Sequence, residues 1–168
     1  MAESLLSAHW EGVAFPRDFD HTGAVERASR RGFYDPWLHV AELDLDVRYE
    51  VMPFLGMTDF LEGTVTLHPK MTQAQERATL AHELVHVERG PFCTSVTEHE
   101  ERIVEGVAAA RLITFDAFLS AAKWAQSWSE LADELNVDPD TARTRKRLLS
   151  RSERAIVRAA VRSAEGRL

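Results

Sequence analysis

From Asp35 onward the apolar and polar positions fall into short, separate periods. Asp35-Pro36 reads as an N-cap followed by proline at the first helical position. Trp37, Val40 and Ala41 then share a face, which predicts a short helix. Val47-Arg48-Tyr49-Glu50-Val51 alternates apolar with polar, as a strand does. Residues 56–60 and Gly63-Thr64-Val65-Thr66-Leu67 predict two more strands around a turn at Leu61-Glu62-Gly63, and His68-Pro69 closes the second. The period then lengthens to that of a helix. Thr72-Gln73-Ala74-Gln75 has capping-box spacing, Leu80, Leu84 and Val87 form a stripe that Ala81 and Val85 widen, and Gly90-Pro91 ends the element. A loop through Cys93 leads to a second, Ala- and Glu-rich helix over residues 96–113. Residues 116–168 read as helical throughout, with breaks near 136–138 and at Ser150. Residues 1–34 mix aromatics with turn formers at no clear period.

The long helix carries His82-Glu83-Leu84-Val85-His86. Residues four apart on a helix lie about 40° apart around its axis and about 6 Å along it, so both imidazoles can reach one metal ion. Water held at a zinc ion has its pKa lowered towards ~7, and Glu83 stands close enough to take its proton without being a ligand. Catalytic zinc ordinarily has three protein ligands. No histidine follows His86 closely, and the next helix offers Glu98, His99, Glu100, Glu101 and Glu105. Glu101 and Glu105 share a face. Glu101 is expected as the third ligand and Glu105 as the hydrogen-bond partner of a ligand histidine's outer nitrogen, with the exchange of these two roles as the alternative. Glu98, His99 and Glu100 are expected to face solvent.

Composition narrows the function classes. The 168 residues are 45% hydrophobic, enough for one domain with a buried core. No run approaches the ~20 apolar residues of a membrane helix. The first residues show no basic then apolar secretory pattern, and Cys93 is the single cysteine, so a reducing, cytoplasmic setting without disulfides is expected. The net charge of −7 disfavours general binding to nucleic acid, yet nine basic residues face three acids between 139 and 168.

Arg77-Ala78-Thr79-Leu80-Ala81-His82-Glu83-Leu84-Val85-His86, between the strand at 63–67 and a Glu-bearing, Ala-rich helix ending in Leu112-Ile113, resembles the ImmA/IrrE family of metallopeptidases. The likeness covers roughly residues 45–115 and is nearest to small phage and actinobacterial members. It implies an α+β, zincin-like domain with a short antiparallel or mixed sheet, here placed at residues 1–115, followed by an all-α extension at 116–168. It further implies one zinc ion per chain on His82, His86 and Glu101, with Glu83 as general base. The expected substrate is a regulatory protein such as a phage or mobile-element repressor. Many members carry a Glu-Ala-Asn…Phe-Ala run where Ile103, Val104, Glu105, Val107 and Ala108 stand here.

Gly63-Thr64-Val65-Thr66-Leu67 is expected to be the edge strand that pairs with an extended substrate. His99 and Tyr49 are candidates for stabilising the oxyanion. Residues 129–145 resemble a helix-turn-helix. Ala132 and Leu135 would lie inside its first helix, an aspartate would cap the second, and Arg143, Arg145, Lys146 and Arg147 would be available to a nucleic acid. Trp124 and Trp128, four apart, are expected to form a packing seam. The alternative to a peptidase is a metal-binding module that regulates by contact, touching a repressor or DNA through these basic helices.

Overall fold

A computed structural model describes residues 34–91 and 97–165. Helix α1 (Pro36–Leu43) starts where Asp35 accepts the Trp37 N–H and stops at Asp44, which is left-handed at φ 52°. Three four-residue strands follow: β1 (Asp46–Tyr49), β2 (Gly56–Asp59) and β3 (Thr64–Leu67). Their spatial order is β1-β3-β2, with β1 parallel and β2 antiparallel to β3. Asp59 turns the β2–β3 connection by accepting the N–H groups of Leu61 and Glu62, and Gly63 supplies the positive φ that follows.

This order corrects the expected edge strand. Thr64, Val65, Thr66 and Leu67 are all buried, and β3 is paired along both sides. The threonines and the aliphatics alternate as on a half-exposed strand, but alternation reports faces of a sheet and says nothing about edges. Gly63 lies just outside, in the turn. Among the described residues β1 and β2 are the two edges of the sheet, and β2 is the edge whose Thr58 bonds Glu83.

Helix α2 (Gln73–Arg89) is started by the capping box: Thr72 Oγ1 accepts the Gln75 N–H at 3.2 Å, and Gln75 Oε1 accepts the Thr72 N–H at 3.0 Å. Gly90 ends it at φ 76°. Two cores meet on this helix. Leu80 and Leu84 pack with Val40, Val65 and Leu67 against the sheet. Ala78, Ala81 and Val85 face the other way, into a larger cluster with Val104, Leu112, Phe118, Leu131, Val137 and Leu149. That second cluster draws on α3 (Thr97–Leu112), α4 (Phe115–Ala122), α5 (Trp128–Glu134) and α6 (Pro139–Leu148), so apolar packing runs uninterrupted across residue 115. Arg77 crosses between the parts, donating to the carbonyls of Tyr34 and Asn136 at 3.0 Å each. Helix α7 (Arg151–Glu165) comes last, with Val157 against the same core.

Helices α5 and α6 enclose the expected turn. Ala132 and Leu135 are buried, Asn136 is left-handed at φ 49°, and Asp138 caps α6. Arg145 does not face outward: it is buried, and its Nε donates to the Ile113 carbonyl at 2.7 Å, which closes the C-terminal end of α3. The other three cations are on the surface. Trp124 is exposed, while Trp128 lies beneath Arg143 and Lys146, whose charged groups stand 5.5 and 5.1 Å from its ring. The two tryptophans therefore form no common seam. Cys93 lies outside the described residues.

Candidate metal centre

His82 and His86 project from one face of α2, and the first turns of α3 carry Glu101 towards them. The two Nε2 atoms are 3.0 Å apart. Glu101 Oε2 lies 3.2 Å from His82 Nε2, and its Oε1 lies 3.5 Å from His86 Nε2. Donors sharing one tetrahedral ion at bond lengths of 2.0–2.2 Å stand about 3.3–3.6 Å apart, so the three groups are spaced to hold a single ion between them. Their chemistry fits as well. Burial lowers the pKa of His82, the His86 charge adds to this, and Glu101 opposes it. Burial likewise lowers that of His86 against the pull of Glu101. Both imidazoles are thus neutral at neutral pH, with lone pairs available beside an anionic carboxylate, the donor set that zinc prefers.

Glu83 points into the same cleft and is held from the sheet. The Thr58 hydroxyl of β2 donates to its Oε2 at 2.8 Å. Burial pushes the carboxyl up to about 7, the Thr58 hydrogen bond opposes this, and the Glu101 charge adds to it. A base near the working pH can both take and return a proton. Gly56 lets β2 come this close: a Cβ there would stand 2.6 Å from Glu83 Oε1 and 2.6 Å from Thr79 Cγ2. Thr58 and Gly56 were not singled out in the sequence. Nothing local marks them, and only the antiparallel register places them beside α2.

Two clasps set α3 against α2. Arg89 donates through Nε and Nη2 to Glu100 Oε2 at 3.0 and 2.6 Å, next to Glu101. Arg111 makes a fork to Glu88 at 2.9 and 2.5 Å, with both side chains buried. Glu100 is therefore engaged rather than solvent-facing, while Glu98 and His99 are exposed. Glu105 is exposed on the cleft wall and bonds neither imidazole, because it lies a full turn beyond Glu101 on α3. The two oxyanion candidates are elsewhere too. His99 is outside the cleft, and Tyr49 donates to Glu76 at 3.1 Å.

The cleft has a volume of about 660 Å³. Leu55 and Gly56 line it on the sheet side, His82 and Glu83 on α2, and Thr141, Thr144 and Arg147 on α6. An α+β fold with this motif on its central helix and a third donor on the next helix can be compared with known families. The profile of the IrrE N-terminal-like domain, peptidase family M78, matches residues 41–146.

The chain belongs to this family.

Membership makes it a metallopeptidase with a zincin-like domain and helices following it. The IrrE N-terminal-like match spans the sheet, both histidines, Glu83, Glu101 and the cleft wall on α6 up to residue 146, and it ends before α7. No curated protein and no solved structure matches the chain. Among the described residues no helix is long and apolar enough to cross a membrane.

Proposed function

We propose that the protein is a zinc-dependent endopeptidase that cleaves a regulatory protein, such as a repressor, in the cytoplasm. One zinc ion per chain would be held by His82, His86 and Glu101. The observation that carries this reading is the convergence of those three donors beside a buried carboxylate that opens onto a peptide-sized cleft. An ion held there by His82, His86 and Glu101 would supply Lewis-acid polarisation of the scissile carbonyl and a lowered pKa for water. Glu83 takes the water proton and returns it to the leaving amine. Thr58 fixes Oε2 and leaves Oε1 for that proton. The open side of β2 supports an extended substrate through backbone pairing, and α6 bounds the far side of the cleft.

Elemental analysis of protein purified without added metal or chelator tests the site. About one zinc per chain is expected in the wild type, and none in His86→Ala. Glu83→Gln is expected to keep its zinc and to lose at least about 100-fold in cleavage of a peptide library, in line with the worth of a positioned base. Wild-type protein that neither retains nor takes up zinc would overturn the reading.

A further inference from the structure

The cations expected on the helix-turn-helix are largely committed within the fold. Arg145 closes α3, Arg143 binds Asp140 at 2.6 Å, Arg143 and Lys146 cover Trp128, and Arg147 donates to Thr144 and lines the catalytic cleft. The next helix differs. On α7, Arg151, Arg154, Arg158 and Arg162 follow one another at intervals of three, four and four residues. At 100° per residue they fall within about 80° of arc, and they climb about 16 Å along the axis. All four are exposed. Among the described residues Arg151 and Arg162 have no hydrogen-bond or ion-pair partner. Arg154 and Arg158 each use one Nε on a backbone carbonyl, of Leu149 and Arg154 respectively, and among the described side chains no carboxylate pairs with any of the four.

Val157, Ala160 and Val161 are half-buried and seat the helix, with Ala160 directly opposite the arginine row. The arginine face is bordered by Ala155 and Ala159 on one side and by the half-buried Val161 on the other. A protein–protein interface places aromatic and aliphatic groups at its centre, and this face has none. Ile156, the large apolar residue exposed on α7, lies about 140° from Arg151. A row of guanidinium groups at near-regular steps without an apolar centre matches a polyanion with regularly spaced charges. Arginine binds phosphate oxygens in a fork and is less strongly hydrated than lysine.

We infer that the arginine face of α7 binds the phosphate backbone of a nucleic acid. The inference is independent of the peptidase reading, since α7 lies beyond the family match and contributes no residue to the cleft lining. The acidic remainder of the chain repels the same polyanion, so it orients the molecule with α7 towards the backbone.

Fluorescence anisotropy of a labelled random-sequence DNA duplex with the full-length protein tests this. Four neutralised phosphates predict that affinity falls about 100-fold between 50 and 200 mM salt. Arg151→Ala/Arg158→Ala/Arg162→Ala leaves the Arg154 cap in place. It is expected to bind at least about tenfold more weakly at 50 mM salt and to lose only about fourfold over the same interval. The corresponding triple lysine variant keeps the charge and should bind within a few fold of wild type, and Arg143→Ala/Lys146→Ala should retain the wild-type salt dependence. Unchanged melting temperatures establish that each variant is folded. The inference is overturned by any of four results: no binding at 50 mM salt, equal binding by the triple alanine variant, loss of binding in the lysine variant, or polyglutamate of equal charge displacing the duplex at equal concentration. The last result would assign the face to an acidic protein.

Discussion

Gly56 and Glu83 share one small space, and that space has consequences for a single substitution. A methyl group at position 56 would meet the Glu83 carboxylate and the Thr79 methyl, both at 2.6 Å, where real Cβ contacts do not occur. The carboxylate is the part able to move. Gly56→Ala is therefore expected to swing Glu83 off the Thr58 hydroxyl and to cut peptidase activity at least about tenfold. The metal ligands stay on their own helix faces, so metal content should remain at the wild-type level. Activity and metal content measured on the same preparation check this, and loss of both together would mean that the strain spreads to α2. At this scale the motif residues were legible and their supports were not. His82, Glu83 and His86 declare themselves by spacing within one helix. Thr58 acts on Glu83 across 25 residues of chain and Gly56 from still further back, and a threonine or glycine in a strand has many other reasons to be there.

Elements depend on the contacts between helices as much as on their own caps. Helix α2 is well specified from within, by the Thr72–Gln75 box at one end and Gly90 at the other. Its angle to α3 is not. That angle brings Glu101 to the imidazoles, and it is held by the buried Glu88–Arg111 fork and the Arg89–Glu100 pair. Arg111→Met fills similar space but leaves the Glu88 carboxylate buried without its cation. The expected loss is about 3–5 kcal/mol of unfolding free energy in denaturant titration, the usual effect of breaking a buried pair from one side. Glu88→Gln combined with Arg111→Met should recover part of that loss, because no charge is then left buried. Sequence periodicity located α2, α3 and all three strands to within a residue or two. It misjudged which strand lies at the edge, and it placed Glu105 behind a histidine when the helix turns that residue onto the cleft wall.

For the whole molecule, the buried polar cluster at the start of α1 sets a dependence on pH. His39 is 1% exposed. Its Nδ1 lies 2.8 Å from the Tyr34 hydroxyl, and its Nε2 lies 3.2 Å from Glu88 Oε1 without the alignment of a hydrogen bond. Burial holds its pKa below 6.5, although the Glu88 charge pulls the other way. The unfolded chain therefore binds a proton more readily than the folded one as pH drops through 6.5. The contribution of the neutral histidine is fully present above that value and is lost as pH falls towards the folded pKa. Denaturant melts between about pH 5 and 8 should show wild type losing stability on the acid side, and His39→Gln should show a shallower decline. Parallel pH profiles for the two proteins would mean that His39 titrates no differently in the folded state.

What the sequence determined by itself was local: the caps, the helix and strand periods, and the pairing of two histidines and a carboxylate within one turn of helix. These rest on interactions between residues a few positions apart, which the one-dimensional pattern records directly. What only the tertiary structure decided was adjacency across the chain. It brought β3 to the centre of the sheet and β2 to the side of Glu83, and it chose Glu101 over Glu105 to meet the imidazoles. It also buried Arg145 while leaving the arginines of α7 in solvent. A basic residue that closes a helix and one that faces solvent have the same local signature. The difference lies in which carbonyl or carboxylate the fold brings within reach, and that is fixed by the packing of Leu131, Val137 and Leu149 against α2 and α3 rather than by the segment that carries the charge.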